Sequence, residues 1–253
     1  MMVHIWQSTL FALFALGIAS LLRKRQARIR YWIWFAASVK FLIPLGSISG
    51  VNLTLSSRLW LLWGLGAVTV LGVWVLRWRR LWQSAHRADV VTVGLEFETL
   101  RRVETSVGST KPVELRLSGG SLEPGVFGVF KPTLILPAGI GCHLSRGQLE
   151  AVIAHEISHL RRLDNLTAAI HMVVEVLFWF HPLVWWIGSK LVDERERACD
   201  EEVLSTCRRL EYAEGIRRVS ELYLQSPILA VSGVTGSNLK KRIEATMESR
   251  SAV

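Results

Sequence analysis

Two histidines and a glutamate stand close together in the stretch AVIAHEISHLRRLDN, residues 151–165. His155 and His159 are four positions apart, so one turn of a helix would bring both imidazoles to the same face. Two imidazoles placed this way can bind one zinc ion, and Glu156 can then take a proton from the water on that ion. The motif predicts part of a catalytic zinc site, although a surface helix with two solvated histidines would show the same spacing.

The surrounding residues predict the helix that such a site needs. Ser145 and Gln148 fit a capping box, in which two side chains satisfy backbone amides at the start of a helix. Apolar residues then recur at roughly the helical period: Leu149, Val152, Ile153, Ile157 and Leu160. We therefore expect a helix from about residue 146 to residue 164.

A catalytic zinc ion usually has three protein ligands and an open position for water. The metzincin pattern HExxHxxGxxH does not supply the third ligand, because Arg162 replaces its glycine and Asn165 its last histidine. The next apolar segment contains three alternatives: His171, Glu175 and His181. A lone polar residue in such a segment is more often hydrogen-bonded in the core than bound to a metal.

The acidic stretch DERERACDEEV contains the favoured third ligand, Glu196. Asp200 follows one helical turn later and can accept a hydrogen bond from the far nitrogen of a ligating histidine. A solvated charged face is the alternative, but the small residues Ala198 and Cys199 indicate a packed face. The chain has three cysteines without a CxxC pair, which we expect to be reduced and structural: Cys142, Cys199 and Cys207.

Long apolar segments predict that the chain is an integral membrane protein with a membrane domain over residues 1–80. They cover about residues 4–22, 31–50 and 59–76, each long enough, or nearly, for the roughly 17–25 residues of a spanning helix. Lys40 and Pro44 are unusual in the second segment, and we expect no functional role for Lys40.

Basic residues cluster after the first and third segments: Arg23, Lys24, Arg25, Arg28, Arg30, Arg77, Arg79, Arg80 and Arg87. By the positive-inside rule these loops are cytoplasmic, so the N-terminus lies outside and the remaining chain begins in the cytoplasm. The net charge of +9 therefore follows the topology and suits anionic membrane lipid, and it does not indicate direct nucleic-acid binding.

Residues 81–253 are predicted to form a cytoplasmic-facing domain, which makes the fold class α+β and mainly helical. VELRL and PTLILP predict a small antiparallel sheet, in which Pro132 and Pro137 bracket an edge strand. The apolar segment 166–191 is broken by Pro182 into two helices. If a metal ligand lies beyond residue 191, this segment must stay on one side of the membrane or return to it. Whether it enters the bilayer is left open.

AVIAHEISHLRRLDN, FHPLVWW and DERERACDEEVL together resemble the membrane metallopeptidases of the BlaR/MecR antirepressor type, peptidase family M56. Related families are the HtpX-like and CAAX-prenyl proteases. The resemblance implies a gluzincin-like domain with Glu156 as general base and Asp200 as a residue that orients a ligand. It implies three Zn²⁺ ligands: His155, His159 and Glu196.

GVFGVFKPTLILP is similar to the strand segment that precedes the metal helix in this family. The resemblance implies that a strand near residues 127–136, including Val129 and Phe130, presents an edge to which a substrate peptide adds as a β-strand. The family's antibiotic sensors carry a further span and a penicillin-binding domain. SNLK, residues 237–240, lacks the partner motifs of an acyl-transfer site, so we do not expect antibiotic sensing.

The resemblance implies a zinc endopeptidase of the inner membrane that cleaves a cytoplasmic protein, such as a transcriptional repressor, or itself. Residues 226–238 are a candidate self-cleavage region, although an ordinary flexible linker is the preferred interpretation. The alternative function is a non-catalytic signalling or scaffold protein with a structural metal site. We disfavour it because structural zinc sites are typically closed and rich in cysteine. The oligomeric state stays open.

Overall fold

The computed structural model describes residues 2–43, 57–108, 112–119 and 124–224. The helices there are α1 Met2–Leu21, α2 Ala27–Lys40, α3 Ser57–His86, α4 Leu95–Ser106, α5 Ile140–His143, α6 Arg146–Arg161, α7 Asp164–Leu177, α8 Pro182–Leu204 and α9 Arg209–Leu224. The strands are β1 Asp89–Val90, β2 Glu114–Ser118, β3 Gly125–Phe127 and β4 Thr133–Pro137. The predicted α+β class with mainly helical structure is confirmed.

Backbone contacts divide the chain into two compact units. The first contains Met1–Arg80 and Leu166–Ala198, and the second contains Leu81–Asn165 and Cys199–Val253. The apolar segment that begins at residue 166 thus groups with the N-terminal helices, and the HExxH helix groups with the sheet.

In the first unit, α1 packs on α2 through small residues. Ala12, Ala15 and Ala19 of α1 are buried in one cluster, together with aromatic and aliphatic residues: Tyr31, Trp34, Ala37, Phe41, Val174, Val184, Ile187 and Leu191. Small side chains at this spacing let two helices approach closely. In α3, Gly66 leaves room for a side chain from the turn between α7 and α8, because a Cβ atom there would come within 2.1 Å of the Trp179 ring.

Two helices in the described ranges are long and apolar enough to cross a membrane, by length and composition: Val3–Leu21 and Arg58–Gln83. Apolar side chains are exposed along α3, a pattern that soluble helices avoid. Within the predicted span 31–50, the 14-residue α2 covers residues 31–40, and Pro44 lies outside the described residues. Lys40 is buried at the end of α2 and donates a hydrogen bond to the Ile43 carbonyl at 3.2 Å.

The second unit is built on a four-stranded sheet with the order β1-β2-β4-β3. Its main core contains residues from α4, the sheet and α6: Leu100, Val103, Val113, Leu115, Leu134, Leu136, Ile140, Leu144, Leu149, Val152, Ile153 and Ile157. The apolar stripe predicted for the HExxH helix thus packs against the sheet side of the unit, which holds α6 in place.

The prediction of an antiparallel sheet is wrong, since the sheet is mixed. β2 and β4 are parallel, with Glu114 opposite Thr133, whereas β1–β2 and β3–β4 are antiparallel. Parallel strands require a crossover of about a dozen or more residues. The connection over residues 119–132 is long enough for one, and β3 forms within it. Between the membrane segments and β2, residues 84–108 contain the end of α3, β1 and α4.

The prediction that PTLILP is an edge strand is also wrong, because β4 lies between β2 and β3. The Pro132 carbonyl accepts from the Glu114 N–H at 3.4 Å, and the Ala138 N–H donates to the Ser118 carbonyl at 2.8 Å. Since backbone groups alternate along a strand, even-numbered residues of β4 face β2 and odd-numbered ones face β3. Both prolines are tolerated because they lie at the ends of the strand.

Two local predictions for the helices are confirmed. Ser145 is the N-cap of α6 and forms the complete capping box with Gln148. α8 begins at Pro182, where the missing N–H costs no intrahelical hydrogen bond. α6 ends at Arg161, earlier than expected, because Leu163 has a left-handed backbone with φ of 57° and turns the chain into α7.

Candidate metal centre

The HExxH residues lie on α6, which the capping box and the core packing hold in place. The rings of His155 and His159 are adjacent, with centroids 4.9 Å apart and planes at 88°. His155 is buried, and Glu156 and His159 are half-buried. One turn of helix therefore brings two imidazoles together beside a carboxylate.

A carboxylate outside the motif holds the second histidine. Nδ1 of His159 lies 2.8 Å from Oδ2 of Asp164, whose side chain is 1% exposed. Cys199 also contacts this nitrogen, with Sγ at 3.3 Å. Since Nδ1 of His159 is occupied by these partners, Nε2 is the nitrogen that the side chain can offer to a metal.

The first histidine is held in the same way from α8 and α9. Nδ1 of His155 lies 2.9 Å from the Tyr212 hydroxyl and 3.3 Å from Oδ1 of Asp200. The Tyr212 hydroxyl also donates a hydrogen bond to Asp200. Tyr212 is fully buried among Ala151, Val203 and Ile216, so its hydroxyl has a fixed position.

Burial and charge compete at His159. Burial alone lowers its pKa, but the hydrogen bond to Asp164, the contact with Cys199 and the nearby charge of Glu156 outweigh burial. The pKa of His159 is therefore raised well above its ordinary value of 6.5. Burial raises the pKa of the Cys199 thiol, and the hydrogen bond with His159 opposes that rise.

Glu196 and Asp200 are one turn apart on the continuous helix α8, as predicted. Glu196 is half-buried, and its Oε1 lies 3.2 Å from a guanidinium nitrogen of Arg195. Asp200 in turn contacts Nδ1 of His155 at 3.3 Å.

The three alternative ligands have partners within the first unit. His171 bonds through Nδ1 to the Ser38 hydroxyl at 2.8 Å, and Glu175 accepts from Trp74 at 3.1 Å. His181 contacts the Thr9 hydroxyl at 3.1 Å. These bonds agree with the expectation that polar residues of this apolar segment are hydrogen-bonded in the core.

Val129 and Phe130 lie in the turn between β3 and β4, and Phe130 is 94% exposed. The single strand predicted near residues 127–136 is wrong, because Gly128 has φ of 87° and breaks the extended run. A Cβ atom at Gly128 would come within 2.6 Å of the Lys131 carbonyl, so the turn requires glycine. The edges of the described sheet are β1 and β3.

The imidazoles of His155 and His159 on α6 fit a zinc ion, because zinc binds imidazole nitrogen. The two imidazoles show the orientation typical of metal ligands, with Nδ1 turned toward a carboxylate. The possible ligand atoms of His159, Asp164 and Cys199 also lie within 4.8 Å of one another. Asp164 and Cys199 meet His159 at its Nδ1 side, so we regard them as its supporting shell.

The model of the BlaR1 peptidase M56 family matches residues 47–246. The chain belongs to this family. The M56 resemblance noted in the sequence is thereby confirmed, and the matched range includes both the HExxH helix and the Glu196–Asp200 turn.

Two curated relatives agree with the M56 assignment. The regulatory protein BlaR1 of Bacillus licheniformis is 32% identical over 135 residues, which are 51% of this chain and 22% of that protein. The methicillin resistance mecR1 protein of Staphylococcus aureus is 29% identical over 140 residues, 53% of this chain and 24% of that protein. The matched part of this M56 chain thus corresponds to less than a quarter of the length of either relative.

The sequence did not identify three residues around the motif histidines: Asp164, Cys199 and Tyr212. Asp164 lies in the stretch RRLDN, but its approach to His159 depends on the left-handed turn at Leu163, and leucine does not predict such a turn. Cys199 was predicted to be structural, and it is free and buried beside His159. Tyr212 carries no local signal, since only packing of α9 on α6 brings it to His155.

Proposed function

We propose that this M56 protein is a membrane-bound zinc endopeptidase. The observation that carries the proposal is the pair of motif histidines, each with Nδ1 beside a buried carboxylate. A solvated surface histidine has no need of such a partner, whereas a metal ligand is oriented by it. Glu156 follows His155 in the motif and is half-buried, which supports a role for it in proton transfer.

His155, His159 and Glu196 are the proposed zinc ligands, with Asp200 and Asp164 orienting the imidazoles. Support for Glu196 comes from its place on α8, one turn before Asp200. When bound, zinc would polarise the scissile carbonyl and make the attacking water more acidic.

Glu156 is the proposed general base. It would take a proton from the attacking water as the new carbon–oxygen bond forms, and then deliver this proton to the leaving amine as the carbon–nitrogen bond breaks. Its negative charge is close enough to His159 to help raise the pKa of that imidazole. The carboxylate thus transfers one proton from the water to the amine and is ionised again at the end of the reaction.

The proposed substrate is a cytoplasmic protein, such as a transcriptional repressor, or the chain itself, bound as an extended strand at the edge of the sheet. Residues 226–238, the candidate self-cleavage region, lie outside the described residues. We propose a multi-pass inner-membrane protein with residues 1–80 as membrane domain and 81–253 facing the cytoplasm. The two long apolar helices and the basic loops support this topology.

Zinc content tests the ligand set. The full chain is purified in detergent as wild type, Glu196→Ala and Glu175→Ala, and bound zinc is measured by mass spectrometry. Glu175 is a matched control, being a buried acid on α7 whose carboxylate contacts Trp74 and His171. We expect about one zinc ion per chain in the wild type and in Glu175→Ala, and a loss in Glu196→Ala. Full zinc retention in Glu196→Ala would refute the proposed third ligand.

A further inference from the structure

Arg30 belongs to the basic cluster that follows the first apolar segment, yet its guanidinium is buried inside the first unit. The residue is 6% exposed, whereas Arg28 on the same helix is exposed. Nε and Nη2 of Arg30 lie 2.9 and 2.8 Å from Oε2 of Glu194 on α8. Glu194 is 6% exposed as well. A buried ion pair with two contacts therefore joins α2 to α8.

The remaining nitrogen of this guanidinium holds the loop between α1 and α2. Nη1 of Arg30 donates to the backbone carbonyls of Leu22 at 3.4 Å and Arg23 at 3.2 Å, and to that of Arg25. Carbonyls at the end of a helix such as α1 have no intrahelical donor, so they need partners of this kind. Arginine can bind the loop and Glu194 together because its planar group presents several donors in a fixed arrangement.

Glu194 occupies a position of α8 where the pattern predicts an apolar residue. Buried residues recur along this face of α8 at helical spacing: Val184, Ile187, Leu191, Glu194 and Ala198. The other carboxylate oxygen of Glu194 lies 3.7 Å from Arg197, whose side chain is largely exposed. A buried carboxylate is strongly destabilising when it loses its partner. The contact with Arg30 therefore sets how α8 is rotated about its own axis at this turn.

Glu196, the proposed third zinc ligand, lies on the same continuous helix two residues after Glu194. Two residues correspond to about 200° of rotation, so the two side chains leave α8 on nearly opposite sides. Adjacent positions of one helical turn rotate together. The rotation that pairs Glu194 with Arg30 thus also sets the direction in which the Glu196 side chain leaves the helix.

We propose that Arg30 is a positioning residue that acts through Glu194 to direct Glu196. The inference rests on the proposed function, because it takes Glu196 as a zinc ligand. It also links the membrane helices to that ligand. A displacement of the loop between α1 and α2 moves Arg30, and with it the turn of α8 that contains Glu194 and Glu196. Zinc affinity therefore depends on the arrangement of α1 and α2.

The test is a double-mutant cycle on the full chain in detergent. Arg30→Gln is made alone and together with Glu196→Ala, and zinc affinity is measured by competition with fluorescent chelators. Chelators of high and low affinity are used, so that weak binding by the motif histidines alone is also measured. Arg28→Gln is the matched control, because it removes the same charge from an exposed position of α2.

Glu194→Gln is a second probe of the ion pair and is tested in the same two backgrounds. It keeps the shape of the side chain, and Arg30 keeps its carbonyl acceptors in the loop, so no buried charge is left without a partner. Every variant is purified by size exclusion before the titration, and its melting temperature is recorded without zinc. These two steps separate weaker zinc binding from loss of the fold.

We expect Arg30→Gln and Glu194→Gln to weaken zinc binding about tenfold when Glu196 is present, as for the loss of an outer-shell partner of a metal ligand. In the Glu196→Ala background the same substitutions change zinc affinity by less than about twofold, because the ligand that they misdirect is absent. Arg28→Gln binds zinc like its parent in both backgrounds. A purely structural role would instead lower zinc affinity equally in both.

Zinc affinity within about twofold of the wild type in both Arg30→Gln and Glu194→Gln would overturn the positioning role. An equal loss in the two backgrounds would also overturn it, since the substitutions would then act on something other than Glu196. Wild-type zinc affinity in Glu196→Ala alone would instead refute the proposed ligand set. The two failures are distinguishable, because the second is read from a protein in which Arg30 and Glu194 are unchanged.

Discussion

Replacing Asp164 by asparagine tests the supporting shell of the metal site. The side chain keeps its size, but the buried carboxylate that lies 2.8 Å from Nδ1 of His159 loses its charge. The same carboxylate lies 3.4 Å from Nε of Arg162, so the substitution also removes the compensating charge of a buried guanidinium. We expect weaker zinc binding together with a lower thermal stability.

The size of the effect follows from what such partners contribute. Loss of an outer-shell carboxylate typically reduces metal affinity about 10- to 100-fold, which corresponds to roughly 1.4–2.7 kcal/mol. Loss of a buried charge-assisted hydrogen bond costs folding stability of about 1.5–3 kcal/mol. The first effect concerns only the zinc-bound protein, whereas the second concerns the metal-free protein as well.

Asp164→Asn changes zinc affinity in two ways, through the orientation of His159 and through its pKa, and the pH dependence of zinc affinity separates them. In the wild type the raised pKa of His159 lets a proton compete with zinc, so zinc affinity increases as the pH rises through that pKa. Asparagine removes the main hydrogen bond that raises the pKa, so the proton competes less in the variant. We therefore expect a steeper gain in zinc affinity with pH in the wild type and the largest difference between the two proteins at high pH.

The assay is competition with a fluorescent zinc chelator at several pH values, using protein in detergent. Glu150→Gln is the matched control, because it also removes one negative charge. Glu150 lies on α6 and forms only a half-exposed ion pair with Arg102, at 3.7 Å. A zinc affinity of Asp164→Asn within about threefold of the wild type at every pH would refute the orienting role of Asp164.

Three further predictions follow from the packing of the site. Tyr212→Phe removes a buried hydroxyl beside His155 and should lower the free energy of unfolding by about 1–3 kcal/mol, measured by thermal or chemical denaturation; an unchanged stability would contradict its role. Iodoacetamide should label the exposed Cys142 first, Cys207 later and Cys199 last. Burial raises the pKa of the Cys207 and Cys199 thiols and so lowers their thiolate fraction. Peptide mass spectrometry measures the order of labelling. Leu163→Gly should retain zinc and raise the free energy of unfolding by up to about 1 kcal/mol, because glycine adopts the left-handed backbone without strain. A loss of zinc would show that the leucine side chain is needed.

Local chemistry made part of the site predictable. The capping box of Ser145 and Gln148 and the helix break at Pro182 depend on neighbouring residues, and both are found where expected. The one-turn spacing of Glu196 and Asp200 follows once that segment is helical. These features depend on residues that are close in sequence, so periodicity and capping rules are sufficient to predict them.

Contacts between distant segments were not predictable in the same way. The parallel pairing of β2 with β4 depends on where the intervening chain runs, and an alternating pattern is equally consistent with either direction. Tyr212 meets His155 only because α9 packs on α6. Asp164 meets His159 through a backbone conformation at Leu163 that is rare for leucine.

The central claim is that Glu156 supplies the proton transfer of a zinc peptidase. The most direct measurement compares zinc-loaded wild type and Glu156→Gln for cleavage of fluorescent casein, with zinc content determined on the same samples. We predict that both proteins hold about one zinc ion per chain and that Glu156→Gln cleaves roughly 100- to 10,000-fold more slowly. Cleavage by Glu156→Gln within about tenfold of the wild-type rate, at equal zinc content, would contradict the account.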